Sequence, residues 1–434
     1  MIDIEIIRRE KSRVQEAARN KNVTVDLDRL LKLDEKRREL AQGVASVEQK
    51  RNKVAKAGQG GRPSVEAIAQ GKELKEEVAR LQAQLEEIEK ELAPLLEAVP
   101  NIPSEDTPIG KDESANVVVR HVGKVPTFDF QPKEHWELGE ALGIIDIETA
   151  ANISGSRFYY LKGELVWLEL ALIQHAFRVL TDTNTLRSIA EKAGVRVPVT
   201  PFLPVLPPVL MKSEVMQKMA RLEPREQRYH TPTDDLYLVG SAEHTLGPMH
   251  MGHTFREEDL PRRYVGFSTA FRREAGTYGK DTRGILRVHQ FDKVELESFT
   301  LPETGVAEQD FMVAIQEHLM QSLGVAYQVV LKCTADMGTP NARGIDIETW
   351  LPGQNRYRET HSADYMSDYQ ARRLNTKVKR ASGKKELVHM NDATVFAIGR
   401  TLIAVMENYQ LPDGSIAVPE VLKPYVPFER IART

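Results

Sequence analysis

The chain is nearly without cysteine: Cys333 stands alone among 434 residues. A single thiol excludes an intramolecular disulfide framework, argues against a cysteine-based structural zinc site, and fits a reducing cytoplasm. Nothing in the sequence reads as a leader or a membrane span. The start MIDIEIIRRE has no apolar core, and no run approaches the roughly 18 apolar residues that cross a bilayer. The expectation is a soluble, untargeted, cytoplasmic protein with no membrane partner and no zinc. Net charge is small, −4 from 59 Lys and Arg against 63 Asp and Glu, so any polyanion must be held by local patches. Also missing are a regular strand–helix–strand alternation and any glycine fingerprint of the dinucleotide-binding or P-loop type; a bound nucleotide needs another device. With 41% hydrophobic content, the length exceeds one ordinary core and predicts about two to three domains.

What is present first is a long-period helical pattern. Between Asp26 and Ala57 apolar residues recur every seventh position at Leu33, Leu40, Val47 and Val54, with Leu30 and Val44 forming a second partial row. From Leu74 the series Leu74, Val78, Leu81, Leu85, Ile88, Leu92 and Leu95 alternates steps of four and three, a heptad repeat. The glycines and Pro63 of AGQGGRPS, 57–64, stop one helix and let the chain reverse. An antiparallel helical arm follows, on the order of 45 Å long at about 1.5 Å per residue. On periodicity alone it is equally a dimerisation or scaffolding coiled coil. Its tip is basic, however: Lys50, Arg51, Lys53, Lys56 and Arg62 lie in a stretch with no acid between Gln49 and Val65, which suits a phosphate backbone. Residues 1–98 form the arm, the proline-rich 99–114 the linker, and 115–434 the larger domain.

That larger part mixes helical stretches such as VWLELALIQHAFRVL (166–180) with β-like runs such as DLYLVG (235–240) and RRYVGFSTAF (262–271), predicting an α+β domain around an antiparallel sheet. One stretch carries the chemistry. AFRREAGTYGKDTRGILRVHQFDKVE, 270–295, sets Arg272, Arg273, Lys280, Arg283, Arg287 and Lys293 around Gly276, Gly279 and Gly284 and closes on Asp292 and Glu295. It reads as strand, long loop, strand. An arginine fork on a strand can hold a phosphate and a carboxylate together, which lysine does less well. Phe291 can stack on a base, Glu274 can accept from an exocyclic amine, and Glu295 can anchor an ammonium. The same spacing also describes an ordinary surface hairpin laced with salt bridges.

The stretch resembles the second signature motif of class II aminoacyl-tRNA synthetases, in the form used by bacterial-type seryl-tRNA synthetases. ISGSRFYYLKGE (153–164), EEDLPRRYVGFSTAFRREAG (257–276), DIETWLPGQNRYRE (346–359), DYQARRLN (368–375) and GRTLIAVMENYQLPDGSIAVPEVLKPY (399–425) are similar to that family in the family's order, as are the arm and VPNIP. The resemblance implies a class II catalytic domain, an antiparallel sheet flanked by helices, behind a tRNA-binding arm. It also implies two reactions: L-serine and MgATP give seryl-adenylate, and the 3′ end of tRNA(Ser) takes the seryl group, with tRNA(Sec) a further acceptor in principle. Arg272, Glu359 and Arg400 then become the catalytic residues. The ATP site falls on Arg272, Arg273, Glu274, Val288, His289, Gln290, Phe291, Glu359, Thr360, His361, Ser362 and Arg400, with Glu359 and Ser362 holding Mg²⁺ through oxygen ligands. Serine falls to Ser241, Ala242, Glu243, Arg272, Glu295 and Thr394.

Departures from the family pattern concern the pocket. Serine stands for the usual threonine at 241 and threonine for the usual serine at 394, both keeping a hydroxyl. His361, Ala363, Asp364 and Tyr365 are unusual, as is NDATV at 391–395, which bears on specificity more than on reaction type. PFLPVLPPVL, 201–210, corresponds to the first class II motif, ending in Pro208, and implies a homodimer. Two other readings are an enzyme that loads amino acids onto a carrier protein and a noncatalytic tRNA-binding paralogue. Relatives of the first kind lack the long arm, and the second would be expected to lose Arg272, Glu274, Glu359 or Arg400, all present here.

Overall fold

A computed structural model describes residues 1–57, 64–275, 281 and 283–433. Arg62, Gly276, Gly279 and Lys280 lie outside the described residues. The chain divides into two compact units, Met1–Ile102 and Pro103–Thr434.

In the first unit, the short helices α1 (Ile4–Arg9) and α2 (Lys11–Asn20) precede two long ones, α3 (Leu27–Ala57) and α4 (Val65–Ala98). The side chain of Asp26 accepts from the Arg29 amide at the start of α3, and Ser64 caps α4 by accepting from Ala67 N at 3.1 Å. α3 and α4 run antiparallel: Arg29 pairs with Glu91 at 3.2 Å, and Gly43 faces Leu81. Along the seam Leu30, Val47, Val78, Ile88 and Leu92 are buried, whereas Lys50, Lys53 and Lys56 are exposed. The heptad positions of the sequence thus form the inner face. At the base, buried Asp34 is held by Arg8 at 2.6 Å and by Arg37 and Arg38, so the carboxylate taken into the seam is compensated.

The second unit is built on an eight-stranded sheet. Its strands are β1 (Val117–Val122), β2 (Leu203–Val205), β3 (Arg262–Phe271), β4 (Gln290–Thr300), β5 (Tyr327–Leu331), β6 (Arg343–Leu351), β7 (Arg356–Ser367) and β8 (His389–Ala397), in the order β1-β5-β6-β7-β8-β4-β3-β2. All neighbours are antiparallel except β2 and β3, so the proline-rich strand lies at an edge, where a missing N–H costs no ladder bond. The segment 99–114, read as a linker, divides between the units. From Pro103 it belongs to the second, where Thr107 donates to Ala342 O and Gly110 N donates to Thr334 Oγ1.

Helices α5 (Glu164–Thr181), α6 (Gly305–Ser322) and α7 (Ile398–Asn408) cover one face. Leu168, Leu172, Phe311, Ile315, Leu402 and Val405 pack there against Val265, Val294, Leu296, Val329 and Val395. Strand alternation does the rest: Val294 and Leu296 enter this core, so Lys293, Glu295 and Glu297 turn to the opposite face. Two bulges then modify the alternation. Ile347 and Glu348 of β6 face His361 and Glu359, leaving Thr360 extra on β7; Val294 and Glu295 of β4 face Phe396 and Thr394, leaving Val395 extra on β8. Gln316 of α6, fully buried, donates to the carbonyls of Ser362 at 2.8 Å and Thr394 at 2.7 Å, next to these irregularities.

Candidate active site

The bulges decide what faces the cleft. Positions three apart on a regular strand lie on opposite faces, yet Glu359 and Ser362 line one chamber, as do Thr394 and Ala397. An inner chamber of about 100 Å³ joins an outer one of about 790 Å³, the two sharing Leu286, Arg287, Glu359 and Arg400. The larger lies within the range of small-ligand sites.

Arg272 follows the last residue of β3 and is fixed twice over. Its Nε donates to Gly240 O at 3.0 Å, and its guanidinium lies 5.4 Å from the centroid of the Phe291 ring. Among the described residues nothing accepts from its two terminal amino groups, which leaves the fork for a ligand. A Cβ at residue 240 would stand 2.8 Å from Arg228 Nη1, so any larger residue there would have to displace the end of that arginine. Glu274 accepts from Arg287 at 3.0 Å on the chamber wall. Arg287 also lies 3.7 Å from Asp281, a carboxylate held by Arg358 at 2.5 Å and by Arg356 at 3.7 Å. Opposite, Arg400 approaches Glu359 to 3.2 Å and donates to its carbonyl oxygen at 2.9 Å. Burial pushes the Glu359 carboxyl up, but Arg400, Lys332 and Arg272 outweigh it and hold the group down at about 2.

Below the inner chamber lies a buried polar nest. Lys293 Nζ is 2.5 Å from Glu295 and 3.8 Å from Glu243, and it donates to Ser241 Oγ at 3.0 Å. Ser241 in turn donates to Glu295 Oε2 at 3.2 Å. Burial pushes Glu295 up to about 7 despite Lys293, with Glu243 adding to the rise. Burial opposes ionisation of Glu243 too, but Lys293, Arg221 and His244 outweigh it and hold that carboxyl below its ordinary value. Arg221 reaches Asp392 at 2.8 Å. Glu243, Glu295 and Asp392 are close enough together to share a metal ion, but Lys293 and Arg221 already supply the positive charge there. Thr394 lines the chamber, its hydroxyl 3.4 Å from Ser362 Oγ.

Of the residues expected from sequence, Arg272, Glu274, Val288, Phe291, Glu359, Thr360, Ser362, Thr394 and Arg400 line one chamber. Ser241, Glu243 and Glu295 lie just beneath, and Ala242 is fully buried beside them. Others point elsewhere. Arg273 stacks over Tyr229, the His289 ring packs against Phe158 and Tyr229, and Gln290 lines a separate cavity. His361 is buried, bonded to Thr360 Oγ1 and edge-on to Phe396, and burial pushes its imidazole down to about 3. Sequence reasoning left Lys293, Arg287, Lys332 and Arg358 without a place in the site. Lys293 was within reach, because it precedes Glu295 by two, the spacing that puts two side chains on one face of a strand.

Comparison with known proteins gives two family matches. Residues 1–103 match the Seryl-tRNA synthetase N-terminal domain, and residues 227–409 match the tRNA synthetase class II core domain (G, H, P, S and T). The Serine–tRNA ligase of Thermotoga neapolitana is 41% identical over 441 residues, covering 99% of this chain and 100% of its own. That of Fervidobacterium nodosum is 37% identical over 434 residues, covering 98% of each. Among solved structures, seryl-tRNA synthetase from Pyrococcus horikoshii complexed with ATP superposes with a TM-score of 0.87 at 35% identity over 100% of both chains. The cytoplasmic Serine-tRNA ligase from Naegleria fowleri in complex with AMP gives 0.82 at 30% identity, over 98% of this chain and 96% of that one.

Proposed function

The chain belongs to the seryl-tRNA synthetases of class II, and from that premise we infer its reaction: it is a serine–tRNA ligase, joining L-serine to ATP as seryl-adenylate and passing the seryl group to the 3′ end of tRNA(Ser). The observation that carries the reading is the unclaimed fork of Arg272, set between the Glu359–Arg400 pair and the Lys293–Glu295 nest.

Each residue then has a physical task. Arg272 grips the α-phosphate and the serine carboxylate, and its position is fixed in advance by Gly240 and Phe291, so little reorganisation is needed as charge grows in the transition state. Glu295 takes the serine ammonium, while Ser241 and Thr394 offer hydroxyls to the substrate side chain. Phe291 and Val288 border the base, Glu274 accepts from its amino group, and Arg400 and Arg287 face the phosphates. Glu359, ionised at neutral pH, and the Ser362 hydroxyl of the inner chamber fit the hard oxygen ligands of Mg²⁺, with Asp346 and Glu348 lining the outer chamber that Glu359 also borders. Bound there, Mg²⁺ supplies positive charge to the triphosphate. The hairpin of α3 and α4 receives the tRNA on Lys50, Arg51, Lys53 and Lys56. Val166, Trp167 and Leu170 on α5, with Leu203 of β2 and Leu206, are exposed apolar residues that suit a homodimer interface. Among the described residues no helix is long and apolar enough to cross a membrane, and we place the enzyme in the cytoplasm. Pyrophosphate exchange across all twenty amino acids tests the reading. Serine should dominate, and exchange driven equally by another amino acid would overturn it.

A further inference from the structure

A second cavity, of about 370 Å³, lies outside the reaction chambers and shares only the Phe291 ring with the inner one. Its walls include the rings of Phe158, Tyr159 and Tyr160, and two acids meet in it, Glu169 of α5 and Asp292 of β4. Glu169 is hydrogen-bonded to Asp292, which also accepts from Thr269 Oγ1 at 2.6 Å. Burial, then the bond to Asp292 and its charge, push the Glu169 carboxyl up to about 8. Two adjacent carboxyls facing one cavity cannot both ionise cheaply, which favours sharing a proton between them. Among the described residues no lysine, arginine or histidine lines this cavity, so the charge of the pair is left to a ligand.

A half-protonated carboxyl pair shows an O–H donor beside a carboxylate acceptor. The complementary partner has a ring nitrogen acceptor beside an exocyclic NH₂ donor, the amidine edge of cytosine and adenine; guanine and uracil carry an N–H at the corresponding ring position. Aromatic walls around such a pair are the usual means by which proteins hold an unstacked base. Tyr160, one of the lining residues, is 43% exposed. We propose that this cavity binds one unstacked cytosine or adenine, gripped at its amidine edge by Glu169 and Asp292 and stacked on Tyr160, and that in the working enzyme the base belongs to the 3′ end of the tRNA. The inference rests on the serine–tRNA ligase reading. It draws on the fact that all three terminal tRNA bases, two cytosines and an adenine, carry this edge.

The test compares full-length enzyme with Tyr160→Ala and Glu169→Ala. Serine-dependent pyrophosphate exchange should stay within ~2-fold, while kcat/KM for tRNA charging falls by ~10-fold or more, the scale of losing one base–aromatic stack. Transcripts with one terminal base exchanged, uracil for either cytosine or guanine for adenine, identify the position. One exchange should cost the wild type a similar factor and cost either variant little, because the interaction is already gone. Unchanged charging, or losses that simply add, would overturn the proposal, as would exchange falling in step with charging. Calorimetric binding of cytidine 5′-monophosphate that disappears in Tyr160→Ala while charging is unaffected keeps the base site and overturns the tRNA as its source. Binding of spermidine in place of that nucleotide overturns the base itself. Absence of serine-dependent exchange in the wild type would instead sink the ligase reading on which the proposal stands.

Discussion

Replacing Lys293 with methionine removes the cation that lies against both Glu243 and Glu295 of the nest proposed to hold serine. At an effective dielectric of about 20, unit charges at the observed 2.5 Å and 3.8 Å attract by roughly 7 and 4 kcal/mol, before the cost of desolvating the lysine. Stripping one partner from a buried pair typically leaves a net loss of about 3 to 5 kcal/mol, unless the stranded acid takes up a proton. Glu295 is ready to do so, since burial has already pushed it up to about 7 with Lys293 in place. In Lys293→Met it should titrate above the pH of a standard assay, each further unit being worth about 1.4 kcal/mol, and the substrate ammonium would then meet a neutral carboxyl. The KM for serine in pyrophosphate exchange should rise at least ~30-fold near neutral pH, about 2 kcal/mol of lost charge pairing, with the KM for ATP changed less than ~3-fold. Raising the pH towards about 9 should restore serine binding as Glu295 ionises. The sign for stability is opposite. Because the folded value of Glu295 is raised, the native state holds more protons than the unfolded one between about 4.5 and 7, so this group's contribution falls as pH climbs through that window while serine binding improves. A serine KM that is unchanged, or raised equally from neutral to alkaline pH, would refute the argument.

Arg272→Ala should lower adenylate formation by at least ~100-fold, the scale of losing one preplaced oxyanion donor, with little change in thermal midpoint; near-normal exchange would displace the proposed active site. Gly284→Ala forces a side chain onto a positive φ and to within 1.9 Å of His135 Nε2, the atom that accepts the Ile285 amide, so we expect a loss of about 2 to 4 kcal/mol in urea melts and a weaker hold on ATP. An unaltered melt would mean that the closeness of His135 carries no weight. Excising about residues 36 to 90 should spare serine-dependent exchange and abolish charging, whereas persistent charging would make the hairpin a scaffold. Neutralising Lys50, Arg51, Lys53 and Lys56 should make the slope of log affinity against log salt shallower by up to about 0.7 to 0.9 for each phosphate no longer neutralised, and an unchanged slope would remove them from the tRNA interface.

The helical hairpin was readable because its seam repeats every seven residues and is satisfied locally, although α4 begins at Val65, well before the first clear heptad residue, Leu74, because Ser64 caps it there. The catalytic sheet was readable through resemblance. ILRVHQF looks like continuous strand, yet β4 begins only at Gln290. The Ile285 amide is taken instead by His135, a residue 150 positions away whose other ring nitrogen meets Glu407, and nothing local announces such a partner. Simple alternation puts Glu359 and His361 on one face. The extra residue Thr360 breaks that pairing, which is why His361 lies in the core and Ser362 on the wall. The nest around Lys293 depends on charges brought from four separate segments, Arg221, Glu243, Glu295 and Asp392, and their juxtaposition is a property of the fold rather than of any window of sequence.

Thr360 and Val395 make two neighbouring strands each one residue out of phase with the partner that defines the bulge, and length therefore carries information that composition does not. Deleting either residue would mend the ladder without turning the strand over: Glu359 and Ser362, or Thr394 and Ala397, would then stand two apart and keep a common face, so the deletion removes only the extra residue and the local bend and twist it gives the strand. Gln316, which bonds beside both irregularities, would then be left holding its amide against a regular strand. In these two strands a one-residue deletion at the bulge should therefore be better tolerated than one elsewhere along the strand, which would turn every side chain on one side of the cut to the other face.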